Sequence, residues 1–239
     1  MDELKIDKAV PKDQETTVET ETSTSFSEGK GLLIMVGVLA GIFILSLLGL
    51  KLYNGVTAAS VVNVDELHQQ NLGGELDTEE GYIYNGYSFV YTDGLWWTEM
   101  NKFGTLLKIP LHFGPKELED IPVRGKLDPA FNDGLEIYLA IDPEVRDKYY
   151  SLALSELSFN VVKGLVRKPI GSCTTENWAC ENRTIISCES SQGKPVIELA
   201  LANESSIDIT GTCIKVSGQE YGIVKAANRL LYQWYGVMG

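Results

Sequence analysis

The sequence lacks the short motifs that mark several classes of functional site. Its four cysteines are too far apart for the closely spaced pairs of zinc sites and thioredoxin-type redox sites. It has no EF-hand loop and no Asp-rich repeat of the kind that binds calcium. We therefore predict no metal site and no cofactor.

Basic residues are also scarce. The 239-residue chain has 20 Lys and Arg against 33 Asp and Glu, a formal net charge of −13. A nucleic-acid-binding protein needs a basic surface to displace counterions from phosphates. The composition therefore argues against a nucleic-acid partner and favours an acidic, solvated surface.

Histidine is rare too, and the chain has only two. His112 lies in an irregular connection from Pro110 to Pro122, and no Ser or Cys nucleophile motif accompanies it. A structural or surface role is the simpler interpretation. A solvent-facing cleft that joins His112 to an Asp or Glu would instead favour a hydrolase.

The most prominent feature present is a charge-free run from Leu32 to Leu50. As a helix it spans about 28 Å, close to the hydrocarbon thickness of a bilayer. We predict a transmembrane helix over residues 31–53, with the lipid bilayer as its partner, and Asn54-Gly55 as its end. Gly37 and Gly41 form a GxxxG pattern that allows weak pairing of two such helices.

Four lysines precede this run and only Lys51 closely follows it, so the N-terminus is predicted to be cytoplasmic. Residues 1–30 are predicted to be a disordered cytoplasmic tail. Residues 54–81 form a spacer with a short helix near residues 64–70, and residues 82–239 form an extracytoplasmic domain. Two alternatives stay open: a cleaved signal, and pilin-type processing at Lys30-Gly31.

The outer domain carries the features of an oxidising compartment. An even number of cysteines predicts two disulfide bonds, formed by Cys173, Cys180, Cys188 and Cys213. Sequons at Asn182 and Asn203 are candidate glycosylation sites. If the last three strands form a simple meander, Cys188 and Cys213 lie two strands apart, beyond the reach of one bridge. That geometry favours Cys173–Cys188 with Cys180–Cys213.

An antiparallel β-meander is predicted from residue 82 to residue 109. Asn85-Gly86 and Asp93-Gly94 separate aromatic and β-branched segments, which is the strongest short signal for a hairpin. Strand alternation places Tyr87, Phe89 and Tyr91 on one face. Core packing is the first interpretation of this row, and an exposed carbohydrate-binding face is the alternative.

The second half combines strands and two main helices. A strand is predicted over residues 135–141, and Asp142-Pro143-Glu144 then has the residues of a helix start. Residues 168–181 are interpreted as a loop, followed by strands over residues 184–187, 196–200 and 207–216. An amphipathic helix stopping near Gly236 completes a predicted α+β fold with two disulfides.

Two segments of the outer domain resemble uncharacterised archaeal membrane-anchored proteins. They are Gly114-Pro-Lys-Glu-Leu-Glu-Asp-Ile-Pro122 and Gly211-Thr-Cys-Ile-Lys-Val-Ser-Gly218, together with the Cys-bearing segment and the C-terminal helix. The resemblance implies an archaeal envelope protein and supplies no activity.

Three functions follow from this sequence. The first and favoured one is a non-catalytic interaction or scaffold module that holds an envelope protein partner near the membrane, and the other two are alternatives to it. The second is an anchored hydrolase using His112 and nearby carboxylates. The third is a pilin-like assembly subunit.

Overall fold

The computed structural model describes residues 28–57, 63–102 and 104–239, and the chain divides into two units after Val61. The described residues of the first unit form one helix, α1 (Glu28–Thr57). Most of the described side chains of α1 are exposed. The helix continues through Asn54 and Gly55, so the predicted stop at that dipeptide is wrong. Residues 1–27 of the predicted tail lie outside the described residues.

The predicted transmembrane helix over residues 31–53 needs correction. Among the described residues, no helix is both long enough and apolar enough to cross a membrane. The predicted single-pass membrane localisation depended on this helix and is therefore corrected as well.

The second unit begins with a short helix and a four-stranded antiparallel sheet. Helix α2 (Val64–Gly73) is capped by the side chain of Asn63, which accepts a hydrogen bond from the backbone N–H of Asp65. The strands are β1 (Gly81–Tyr84), β2 (Tyr87–Thr92), β3 (Leu95–Lys102) and β4 (Thr105–Leu111), paired in chain order. The first two turns have positive φ at both central residues, as the Asn-Gly and Asp-Gly pairs predicted.

The second sheet has six strands and overturns the predicted fold class. Its strands are β5 (Val123–Gly125), β6 (Glu136–Ile141), β7 (Lys168–Cys173), β8 (Val196–Leu201), β9 (Ser206–Thr210) and β10 (Cys213–Gly218). Their order is β5-β9-β10-β8-β6-β7, and every pair is parallel except β9–β10. The α+β prediction, built on local antiparallel pairing, is therefore wrong, and the fold is α/β with a mixed sheet.

A helical crossover produces the parallel pair β6–β7. Helix α3 (Lys148–Lys163) connects the two strands and is capped by Asp147, whose side chain accepts from the Tyr150 N–H at 2.8 Å. The predicted helix start at Asp142 is wrong, because the Asp142 carboxylate instead caps a turn at the Glu144 N–H, 2.9 Å away. The predicted loop from residue 168 begins with strand β7.

Helix α4 (Tyr221–Trp234) lies at the centre of the second unit. Its apolar stripe of Ile223, Ala227, Leu230 and Leu231 is buried, as its spacing predicted, and Gly236 follows it at φ 76°. It packs against β10 and α3, while the ring of Tyr232 meets Phe89 of β2 edge-on. Helix α4 therefore brings residues of both sheets and of α3 close together.

Two disulfide bonds are present, but their pairing differs from the expected one. Cys173 is bonded to Cys180, and Cys188 is bonded to Cys213, with Cα–Cα distances of 6.3 and 5.3 Å. The expected pairing assumed a meander of strands over residues 184–187, 196–200 and 207–216, in which the middle strand separates Cys188 from Cys213. In the structure residues 184–187 contribute only an isolated bridge to Cys173, and Cys188 begins a short 3-10 helix (Cys188–Ser190). In the structure β10 pairs directly with β8, which brings Cys213 beside the segment that precedes β8.

Candidate active site

His112 and Glu156 form a hydrogen-bonded pair. His112 follows strand β4, and Glu156 lies in the middle of α3. The distance from His112 Nδ1 to Glu156 Oε1 is 2.5 Å. The side chain of His112 is 32% exposed and that of Glu156 only 10%. The carboxylate therefore lies behind the imidazole, with the ring between it and solvent.

A second residue completes the environment of Glu156. The side-chain amide of Asn228, on α4, donates to Glu156 Oε2, and its oxygen accepts from the Phe113 N–H at 3.0 Å. The Tyr232 hydroxyl donates to the Phe113 carbonyl at 3.0 Å, so the peptide groups on both sides of Phe113, the residue after His112, are held by α4. With Glu156 ionised, both of its oxygens act as acceptors, and we therefore assign the proton of the His112–Glu156 bond to Nδ1.

Burial shapes the electrostatics of this network. It raises the pKa of Glu156, against the opposing effect of the hydrogen bonds from His112 and Asn228. Keeping Glu156 ionised in this buried position therefore lowers the free energy of unfolding. Buried carboxylates maintained in this way are concentrated at functional sites, although structural networks use them too.

An open cavity of about 330 Å³ lies in front of the pair. Its lining residues are Tyr91, Gly94, His112, Phe113, Tyr221 and Lys225. The volume lies near the lower end for small-molecule sites. Among the described residues the lining contains no Ser, Thr or Cys, and water is the nucleophile that a histidine base would activate there. His112 lines this cavity, whereas its hydrogen-bonded partner Glu156 does not.

Two other kinds of site could lie among the described residues, a metal-binding cluster and a second cavity with a histidine. These residues contain no group of three or more His, Cys, Asp or Glu that could hold a metal ion. A larger cavity of about 500 Å³ lies beside Trp178, but no histidine lines it. The pairing of a base with a buried carboxylate is thus found at the His112 cavity and not at the Trp178 cavity.

The aromatic row predicted on β2 does not form an exposed face. Phe89 is fully buried, and Tyr87 packs against the same core, whereas Tyr91 is 45% exposed and lines the His112 cavity. Core packing, the first interpretation, therefore accounts for Phe89 and Tyr87. The three rings therefore do not form the exposed row that the sugar-binding alternative requires.

The remaining predicted site residues lie elsewhere. Asn182 and Asn203 are exposed, and their glycosylation stays a prediction. An added Cβ at Gly37 or Gly41 would meet no atom within 4 Å beyond the helix itself, and pairing through these glycines stays a prediction. All four predicted cysteines are in disulfides.

Sequence reasoning missed Glu156, Asn228 and Lys225. One signal was available for Asn228, because it lies next to Ala227 on the buried stripe of α4, where a polar residue needs a buried partner. Glu156 gave no comparable signal, since a glutamate in a helix is ordinarily solvated.

The chain matches no protein-family model, no curated protein and no solved structure.

Proposed function

We propose that the second unit is a hydrolase whose general base is His112, oriented by Glu156. The observation that carries the proposal is the 2.5 Å bond between His112 and a buried carboxylate at the wall of an open cavity. A carboxylate behind a histidine fixes its tautomer and orientation and stabilises the imidazolium that forms during proton transfer. A structural His–Glu pair would need no cavity in front of it.

The mechanism follows from the assigned tautomer. With Nδ1–H donating to Glu156, Nε2 of His112 is the nitrogen that accepts a proton from water. The water oxygen bonds to the carbonyl carbon of an ester, and the resulting tetrahedral intermediate then breaks its bond to the leaving oxygen. The proton on His112 passes to that oxygen, so an acid and an alcohol leave and the imidazole returns to its neutral form.

The test is the hydrolysis of para-nitrophenyl acetate by the purified protein and two variants. His112→Asn keeps an amide near the position of Nδ1 but removes the base, and should lower kcat/KM by about a hundredfold to ten-thousandfold. Glu156→Gln should lower it by at least about tenfold, because the neutral amide cannot stabilise the imidazolium. The exposed Glu144→Gln is the matched control for the second change.

Stability measurements separate catalysis from a structural role. Because burial raises the pKa of Glu156, its replacement by the isosteric Gln should leave the free energy of unfolding unchanged or higher. A structural role predicts the reverse pattern, with lower stability and unchanged kcat/KM. Activity that persists in folded His112→Asn would contradict the proposal.

A second candidate function, a protein-interaction module, is favoured by one apolar surface. This Val166 surface consists of four exposed side chains, Leu135, Phe159, Val162 and Val166. Three basic residues border it, Lys163, Arg167 and Lys168, in a chain of net charge −13. The partner that fits is a protein segment with an apolar face and acidic flanks.

Crosslinking with mass spectrometry tests this candidate. Wild-type protein and His112→Asn should capture the same acidic companion, and Val162→Asp should lose it. Equal capture by Val162→Asp would exclude the Val166 surface as the docking site.

A further inference from the structure

Among the residues that the structure describes, Lys225 is the only cationic side chain that lines the His112 cavity. It lies one turn into α4, and its Nζ is 4.9 Å from the centre of the Phe113 ring. Among the described residues it forms no ion pair. No carboxylate lines the same cavity, since Glu156 lies behind His112. The ammonium group is therefore available to an anion that enters.

The other walls of the cavity are aromatic and held in place by their neighbours. The rings of Phe113 and Tyr221 meet edge-on with centroids 5.7 Å apart, and Tyr149 supports Tyr221 at 4.4 Å. The ring of Tyr91, which also lines the cavity, lies against that of Trp96 with centroids 5.2 Å apart. Fixed rings of this kind suit a flat or apolar body and lose little entropy when a ligand binds.

The far side of Lys225 limits how much negative charge the ligand can carry. There Lys225 borders a second depression, which Glu117, Asp120 and Glu204 also line. These carboxylates are beyond ion-pair distance but repel a polyanion. A single carboxylate is therefore a better match than a phosphate chain.

We propose that the substrate is a small ester bearing one carboxylate, with that group at Lys225 and its flat body between the aromatic walls. The proposal rests on the proposed hydrolytic function, because His112 acts on the ester carbonyl in the same cavity. Lys225 is then the residue that determines specificity.

The experiment compares two esters of the same shape. These are the acetate esters of para-hydroxybenzoate, which is anionic, and of para-hydroxybenzamide, which is neutral. The wild-type ratio of kcat/KM for the anionic over the neutral ester should be about fivefold, the upper range for a partly exposed ion pair, and should fall as salt is added. Lys225→Met should reduce the ratio to about one, and Lys225→Arg should retain it.

Lys126→Met is the control for net charge, because Lys126 is exposed and lies at another cavity. It should retain the wild-type ratio. A ratio of one in the wild type, or an unchanged ratio in Lys225→Met, would overturn the specificity proposal while hydrolysis by His112 stands.

Binding of para-hydroxybenzoate, followed by titration calorimetry, separates the two proposals when hydrolysis fails. Binding that Lys225→Met weakens, without hydrolysis of either ester, supports the anion site and refutes the reaction. Loss of both hydrolysis and Lys225-dependent binding refutes both proposals.

Discussion

Val166 has a backbone conformation that β-branched residues rarely adopt. Its φ is 55°, and it follows the end of α3, where its successor Arg167 donates its N–H to the Val161 carbonyl at 3.0 Å. Glycine is the usual residue at such a left-handed position, because a side chain there costs about 1–2 kcal/mol. The side chain of Val166 is 64% exposed, so packing returns little of that cost.

Replacing Val166 should therefore stabilise the protein. We expect Val166→Gly to raise the free energy of unfolding by about 0.5–1 kcal/mol. Glycine removes the backbone strain of the folded state, but it also makes the unfolded chain more flexible, and the second effect offsets part of the first. Chemical denaturation measures this change. Val166→Ala, which keeps a Cβ, should gain less, and a loss of stability in both variants would show that the valine packs better than its exposure indicates.

Helix α2 is attached to the meander by a small polar cluster, the α2 clasp, formed by His68, Asn71 and Ser88. The Asn71 amide donates to the Ser88 hydroxyl at 2.7 Å, and that hydroxyl lies 2.8 Å from His68 Nδ1. With Asn71 as donor, the serine proton is directed to a neutral imidazole. Burial lowers the pKa of His68 from its ordinary 6.5, although nearby Asp65 opposes the effect and Lys108 adds to it.

Protonation of His68 should loosen the α2 clasp. Because its pKa is lower in the folded protein, the stability it contributes is complete above about pH 6.5 and is lost as the pH falls toward the folded-state pKa. Stability measured from about pH 8 down to about pH 5 should therefore decline more steeply in the wild type than in His68→Gln. Hydrogen exchange should show α2 opening first, and parallel pH curves for the two proteins would contradict this.

The elements that could be predicted from the sequence are those specified by neighbouring residues. Asn85-Gly86 sets its hairpin through two adjacent positive φ angles, and the stripe of α4 is visible in its own spacing. The start of α3 was predicted too early because Asp142 and Asp147 are both residues that can cap a helix. Tertiary packing favours Asp147 as the cap.

The order of the second sheet and the site depend on contacts between distant segments. Strand β10 inserts between β9 and β8, and nothing in the spacing of these strands distinguishes that order from a meander. Glu156 lies 44 residues from His112 and 72 from Asn228, so the chain must fold before the three side chains meet. His112 was identified as a candidate from its residue type, whereas its partner required the topology.

The two disulfides should contribute unequally to the stability of the second unit. Cys188–Cys213 closes a loop with a sequence separation of 25, and Cys173–Cys180 closes one with a separation of only 7. In the chain-entropy model the longer loop contributes about 3.5 kcal/mol and the shorter about 2.4 kcal/mol. We expect Cys188→Ser with Cys213→Ser to destabilise the protein by about 1 kcal/mol more than Cys173→Ser with Cys180→Ser, as measured by denaturation without reductant. The longer bridge also fixes the start of β10, the central strand against which α4 packs, so its loss should reduce the proposed esterase activity as well. An equal or reversed order of stabilities would show that the Cys173–Cys180 loop stabilises the native state through its own packing.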